Sequence, residues 1–220
     1  MPVITISREA GSGGDDIAME VAGTLGCELV GKEFMERVLD RYGFIEFGRE
    51  YDTRLSFWER LDTARAENRA TMMDLLEQVT LAVARHGDAV IVGRSGFAAL
   101  AGYSDVFHVR IQAPPAVRAA RLGTERGIPW DQAFDDIEHI GRLRADFVHR
   151  YFGADLYDTR GFDLVVNTGR ISHSLAARFI VDAVQAMEPP VGGDPVTIAG
   201  ADVDPVAISA VEEEFDSLRS

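Results

Sequence analysis

Ile4-Thr5-Ile6-Ser7-Arg8-Glu9-Ala10-Gly11-Ser12-Gly13-Gly14-Asp15-Asp16-Ile17-Ala18 is the stretch from which the rest of the chain is best read. It begins as an apolar strand, passes through a glycine-dense turn, and enters a helix whose Ile17, Ala18, Val21 and Leu25 share one face. Gly11, Gly13 and Gly14 permit positive φ and carry no Cβ, so backbone N–H groups can converge on an anion at a helix N-terminus. The pattern predicts a strand–loop–helix phosphate cradle. It is not a complete GxxxxGK[ST] loop, which would place glycine at Arg8, lysine at Gly14 and a magnesium-binding hydroxyl at Asp15; of these defining residues only Gly13 is retained. Asp15 and Asp16 also suit the positive end of a helix dipole, worth about 0.3–1 kcal/mol each. For phosphate to bind beside them, a cation must stand between.

Composition narrows the classes. The chain has 220 residues, 46% hydrophobic and 26% charged, which suits one soluble domain with a short appendage. With no apolar run of 18 residues and no basic leader before an apolar stretch, a cytoplasmic protein is expected, without membrane association. The net charge of −14 argues against a nucleic-acid polymer as partner. Cys27 is the sole cysteine, which excludes an intrachain disulfide and a thiolate metal cluster. Lys32 is the sole lysine, so phosphate chemistry here must run on guanidinium groups, which grip phosphate oxygens bidentately.

Further along, the spacing predicts strands at Pro2–Ser7, Cys27–Val30, Asp88–Val92, Asp105–Gln112 and Phe162–Asn167. Helices are predicted at Asp15–Leu25, Lys32–Tyr42, across Thr53–Arg85 as one or two pieces, from Pro115 onward, at Asp131–Tyr151, and at Ser172–Met187 with Leu175, Phe179, Ile180 and Val184 inward. Within Thr53–Arg85, the polar segment Asp62–Thr71 reads either as a solvated helix face or as a flap over an acceptor. The alternation implies an α/β fold with a mainly parallel sheet, whose ligands gather beyond the carboxyl ends of the strands. The glycine loop, Gly93-Arg94-Ser95-Gly96 and the residues after Gln112 all lie at such ends.

From Glu188 onward there are eight acids against Arg219. Pro189-Pro190, Gly192, Gly193 and Pro195 mark a linker. Asp204-Pro205 then opens a short helix with Ile208, Val211, Phe215 and Leu218 as its apolar stripe, and with Glu212–Glu214 and Asp216 toward water. That helix is expected to dock on its own domain, or else to serve a homodimer or partner contact.

These residues resemble the cytidylate kinase-like family, relatives of the P-loop nucleoside monophosphate kinases, over roughly residues 3–186. Ile4–Glu9 with Gly11–Gly14 looks like the family's own phosphate loop, which also lacks the lysine. Gly93-Arg94 is similar to the Gly-Arg after the third strand, Asp105–Leu122 to the strand–proline–helix segment, Arg144 with Phe147 and Tyr151–Gly153 to the lid, and Phe162–Thr168 to the final strand motif. The resemblance implies a P-loop kinase-like three-layer sandwich on a five-stranded sheet. One domain, 1–187, would carry an acceptor-side helical region at about 31–86 and a lid at about 124–155, followed by 188–220 as acidic linker and helix. Departures fall at Asp15, in place of a basic residue, and at Gly31, Ser95 and Gly141, in place of aspartates.

The chemistry so implied is transfer of the γ-phosphoryl group of ATP, with Mg²⁺, to a cytidine-like nucleoside monophosphate or related small phosphorylated acceptor. Arg8, Gly11, Ser12, Gly13, Gly14 and Asp15 would hold the donor, with Asp15 also a magnesium ligand. Arg94, Arg118, Arg121 and Arg144 would serve the transfer, Arg94 fixing the acceptor phosphate, and Arg126 and Arg142 complete the lid pool. The alternative is a catalytically degenerate nucleotide-responsive or scaffold protein of the same fold. A dinucleotide fingerprint fits poorly, since its third glycine would be Asp16. The five histidines show no metal spacing.

Overall fold

The computed structural model describes residues 2–41, 63–93, 96–188 and 195–219, with backbone only for 63–70. Its strands are β1 Val3–Arg8, β2 Glu28–Val30, β3 Ala89–Val92, β4 Val106–Gln112 and β5 Leu164–Asn167. They form one wholly parallel sheet in the order β2-β3-β1-β4-β5, with β1 at its centre. The helices are α1 Gly14–Leu25, α2 Lys32–Arg41, α3 Thr63–His86, α4 Gly96–Ala99, α5 Pro115–Arg126, α6 Trp130–Phe152, α7 His173–Gln185 and α8 Pro205–Arg219. Among the described residues, none is long and apolar enough to cross a membrane.

Strand alternation sorts the sheet into two unlike faces. On one, Ile4, Ile6, Val90, Phe107, Val109, Ile111 and Val166 pack against Ile17, Val21, Ala177 and Ile180 of α1 and α7. The other face is apolar at its β2–β3 side, where Val30, Ala89 and Ile91 join Phe34, Val38, Leu76, Val79 and Val83 of α2 and α3. Between β1 and β4 the same face turns polar. Thr5 pairs in register with His108, and Ser7 with Arg110, and all four are buried. The Thr5 hydroxyl hydrogen-bonds His108 Nδ1 at 2.7 Å, and Arg110 Nη1 donates to Ser7 Oγ at 2.8 Å. Burial on both faces was expected of β1; a polar lining beneath one of them was not.

Two details of the helices differ from expectation. Phe179 is 43% exposed, because the buried stripe of α7 runs through Ala176, Ala177, Ile180, Val181 and Val184 and leaves Phe179 about 100° round the helix from Ile180. On α8, Leu218 is exposed, whereas Glu214 is 2% exposed rather than facing water. Glu214 turns inward because Arg37 and Arg41 of α2 reach it: Arg37 Nε donates to one carboxylate oxygen, and Arg41 Nη2 to the other at 2.7 Å. Phe215 follows it inward, its ring 4.7 Å from that of Phe34 and 4.4 Å from His86. The C-terminal helix therefore docks on its own domain, across α2 and α3. Tyr42, the Thr53–Asp62 part of the expected long helix and the linker prolines Pro189 and Pro190 lie outside the described residues, as do the side chains of residues 63–70 in its polar segment.

Candidate active site

β1 delivers the glycine loop to the N-terminus of α1. Ser12 ties the turn to itself: its N–H and its hydroxyl both donate to the Glu9 carbonyl, at 3.2 and 2.8 Å. Gly11 and Gly13 have φ of 76° and 75°, in the region that favours glycine. Space demands glycine as well. A Cβ on Gly11 would stand 2.4 Å from the Arg118 carbonyl oxygen, and one on Gly13 would lie 2.0 Å from His173 Nε2. Gly13 caps α1 without a side chain, so the first-turn N–H groups keep the open end that a helix presents to anions.

The loop's carbonyls are held from behind. Thr168 Oγ1 donates to the Ser12 carbonyl at 2.7 Å, with Arg121 Nη1 at 3.5 Å. Arg121 also donates to Thr168, at 2.8 Å to its carbonyl and 3.1 Å to its hydroxyl. Arg118 Nη1 reaches the Ala10 carbonyl at 3.5 Å, and Arg144 Nη1 donates to that of Arg8 at 2.8 Å. In a trans peptide the N–H points opposite the preceding C=O. Pinning Ala10 and Ser12 by their oxygens therefore turns the N–H groups of Gly11 and Gly13 the other way, as an anion-binding nest requires.

Beside the loop, under α6, lies a cavity of about 60 Å³ lined by Arg8, Arg110, Arg118, Arg142, Arg144, Glu9 and Glu138, with Gly141 and Tyr157 at its wall. Glu9 is its internal counterion. One carboxylate oxygen takes the Ala113 N–H at 3.1 Å and pairs with Arg118 Nε at 3.2 Å, while the other stands 3.8 Å from Arg110 Nη2. Arg118 Nε donates also to the Ala113 carbonyl at 3.0 Å. Burial pushes the Arg110 guanidinium below its ordinary pKa, opposed chiefly by Glu9. Five guanidiniums facing two carboxylates leave this corner of an acidic protein positive.

Of the sequence-predicted site residues, Arg8, Gly11, Ser12, Gly13, Gly14, Asp15, Arg118, Arg121 and Arg144 converge on the loop. Arg118, Arg121 and Arg144 do so as braces of its main chain. Arg126 instead pairs with Asp136 at 3.4 Å on the surface. Arg94 and Ser95 lie outside the described residues, although Gly93 N–H donates to the Ile6 carbonyl at 3.1 Å and so brings that strand end alongside β1. Sequence reasoning missed the parts played by Glu9, Arg110, Thr168 and His173. An arginine amid the buried run Val106–Gln112 was the available signal, because such a charge needs partners.

A parallel sheet in this order with a glycine loop after its central strand defines a P-loop kinase-like α/β fold. The sequence matches the Cytidylate kinase-like family over residues 3–170. The chain belongs to that family. It is 28% identical over 185 residues to the cytidylate kinase of Pyrobaculum arsenaticum, covering 83% of this chain and 92% of the relative. It is 29% identical over 168 residues to that of Ignicoccus hospitalis, covering 76% and 90%. Among solved structures, an uncharacterized protein from Eubacterium ventriosum superposes with a TM-score of 0.62 at 20% identity, over 85% of this chain and all of the other.

Proposed function

We propose that this protein transfers the γ-phosphoryl group of ATP to a nucleoside monophosphate, with a cytidine-like base as the favoured acceptor. The supporting observation is the combination of a glycine loop whose carbonyls are braced from behind and the arginine-lined cavity beside it. Phosphoryl transfer needs positioning and charge neutralisation more than covalent chemistry. The N–H groups of the loop hold the donor phosphates. Arg142 and Arg144 on the lid helix α6, with Arg110 on the cavity floor, offset the charge spread over the transferring group. Arg118 and Arg121 keep the loop in shape, and the family resemblance assigns the acceptor phosphate to Arg94. The base preference follows the named relatives, which are cytidylate kinases.

Magnesium fits the residues present. Among the described residues no three His, Cys, Asp or Glu side chains cluster as a metal cage. Mg²⁺ in kinases uses one or two carboxylates together with substrate phosphates; Asp15 and Asp16, on the first turn of α1, would supply them. When bound, the ion neutralises phosphate oxygens.

A coupled ADP-release assay with CMP, dCMP, UMP and AMP as acceptors tests the proposal. Turnover with CMP or dCMP well above the other two is expected. Binding of ADP without turnover on any acceptor would instead favour a nucleotide-responsive protein that has lost catalysis, consistent with Gly31, Ser95 and Gly141.

A further inference from the structure

The loop departs from GxxxxGK[ST] at both ends: Arg8 replaces the first glycine and Gly14 replaces the lysine. In the structure these are one change. A Cβ on Gly14 would stand 2.4 Å from Arg8 Cβ and 2.6 Å from its Cγ. Arg8 cannot readily draw aside, because it ends β1 in register with Ile111 and its carbonyl is held by Arg144. A side chain at one position therefore excludes a side chain at the other. The Arg8 stem covers the point from which a lysine stem would rise. Its guanidinium continues over the first turn of α1, with Nε 3.1 Å and Nη2 3.0 Å from Asp15 Oδ1, and it also lines the arginine-rich cavity.

We infer that Arg8 supplies the cation that the loop lysine supplies in GxxxxGK[ST], and that Asp15 is its resting partner, exchanged for phosphate oxygens when a nucleotide binds. The inference rests on the nucleotide-binding function proposed above. Asp15 suits a partner that gives way: its side chain is 73% exposed, against 19% for Arg8, and an ion pair so open to water is held weakly. A diphosphate brings more charge, and oxygens that a guanidinium fork can take in pairs. A surface salt bridge alone would leave the Arg8 stem over Gly14 unexplained.

Calorimetric titration of the full chain with ADP in EDTA tests this, with thermal melts to check folding. Arg8→Gln keeps the stem over Gly14 and removes the charge; it is expected to weaken ADP binding by about tenfold or more while leaving the melt near wild type. Arg8→Lys should lose less. Asp15→Asn should bind ADP more tightly than wild type, since the competing anion is gone. Arg8→Gly/Gly14→Lys should recover most of the affinity that Arg8→Gly loses. Arg8→Gln binding as wild type does would overturn the assignment while leaving nucleotide binding intact. Weaker binding by Asp15→Asn would overturn the exchange. If the double variant does not fold, Gln against Lys at position 8 decides. Wild-type protein that takes up no ADP at millimolar concentration would sink the nucleotide-binding function and this role with it.

Discussion

Arginines brace two distant parts of this molecule, with a different balance of carbonyl and carboxylate partners in each. Around the glycine loop, Arg121 and Arg144 donate to the main-chain carbonyls of Thr168 and Arg8, and Arg118 donates to those of Ala10 and Ala113 while also pairing with the Glu9 carboxylate. At the C-terminal helix, Arg37 and Arg41 end on carboxylates, the buried Glu214 and the exposed Glu213. A carbonyl satisfies the N–H groups of a guanidinium without cancelling its charge. A carboxylate does both. With five guanidiniums to two carboxylates around its cavity, the first region holds backbone in shape and keeps a positive field beside the loop, whereas the second, two arginines on two glutamates, is electrically spent. Hydrogen-bonded arginines near a candidate site are thus not disqualified from serving it; the charge of the acceptor decides.

The largest effect that separates the two regions lies at the spent one. Arg37→Ala/Arg41→Ala leaves Glu214 buried without a cation, and about 3–5 kcal/mol of stability should be lost. Glu214→Gln removes the charge from the buried side and leaves two half-exposed arginines to water, so about 1–2 kcal/mol is expected. Urea melts of the two variants measure that asymmetry. ADP affinity should stay at the wild-type value in any variant still folded under assay conditions. Equal costs for the two would mean that the clamp is held by Phe215 and its apolar neighbours, with the ion pairs incidental.

A middle-sized effect is expected at the loop. Thr168→Val removes the hydroxyl that donates to Ser12 and accepts from Arg121. The buried Ser12 carbonyl then keeps only its long contact with Arg121, and about 1–3 kcal/mol should be lost. Unlike the clamp variants, this one should also weaken ADP binding, because the peptide that aims the Gly13 N–H is no longer pinned. Calorimetry on the folded variant checks this; unchanged affinity would break the distinction between brace and spent pair.

Much of the architecture was legible in the chain because period and punctuation agreed. The β-branched runs, Pro115 at a helix start and Gly26 at a helix end state local physics that the tertiary structure did not override. The loop was legible as a loop for the same reason. What Arg118 and Arg121 do there was not, since their three-residue spacing says only that they share a face, not that carbonyls of a distant loop lie beneath it. Glu214 was misassigned because a run of three glutamates reads as a solvated face, and only two arginines 173 and 177 residues away make one of them an interior group. Gly14 and Arg8 each read only as a departure from GxxxxGK[ST]. Their mutual exclusion becomes visible only when the space between them is measured.

The smallest effect concerns the polar stripe that links the sheet to the cavity. His108 lies on β4 against Thr5, and burial pushes its imidazole below the ordinary histidine range, against the opposing pull of Asp163. The folded protein thus favours the neutral ring, while the unfolded chain protonates near pH 6.5. Protons are then bound preferentially by the unfolded state, so this contribution to stability is fully present above about pH 6.5. It is lost as pH falls from there through the lower folded value. One group sets a ceiling of about 1.4 kcal/mol per pH unit on the slope. Urea midpoints taken from pH 7.5 to pH 5 should fall for wild type and fall less steeply for His108→Asn, which keeps a partner for Thr5 and cannot titrate. Parallel curves would mean that the ring takes up its proton inside the folded sheet. In that case the polar stripe would tolerate positive charge as readily as the cavity above it does, and the division between carbonyl-braced and neutralised regions would extend into the sheet itself.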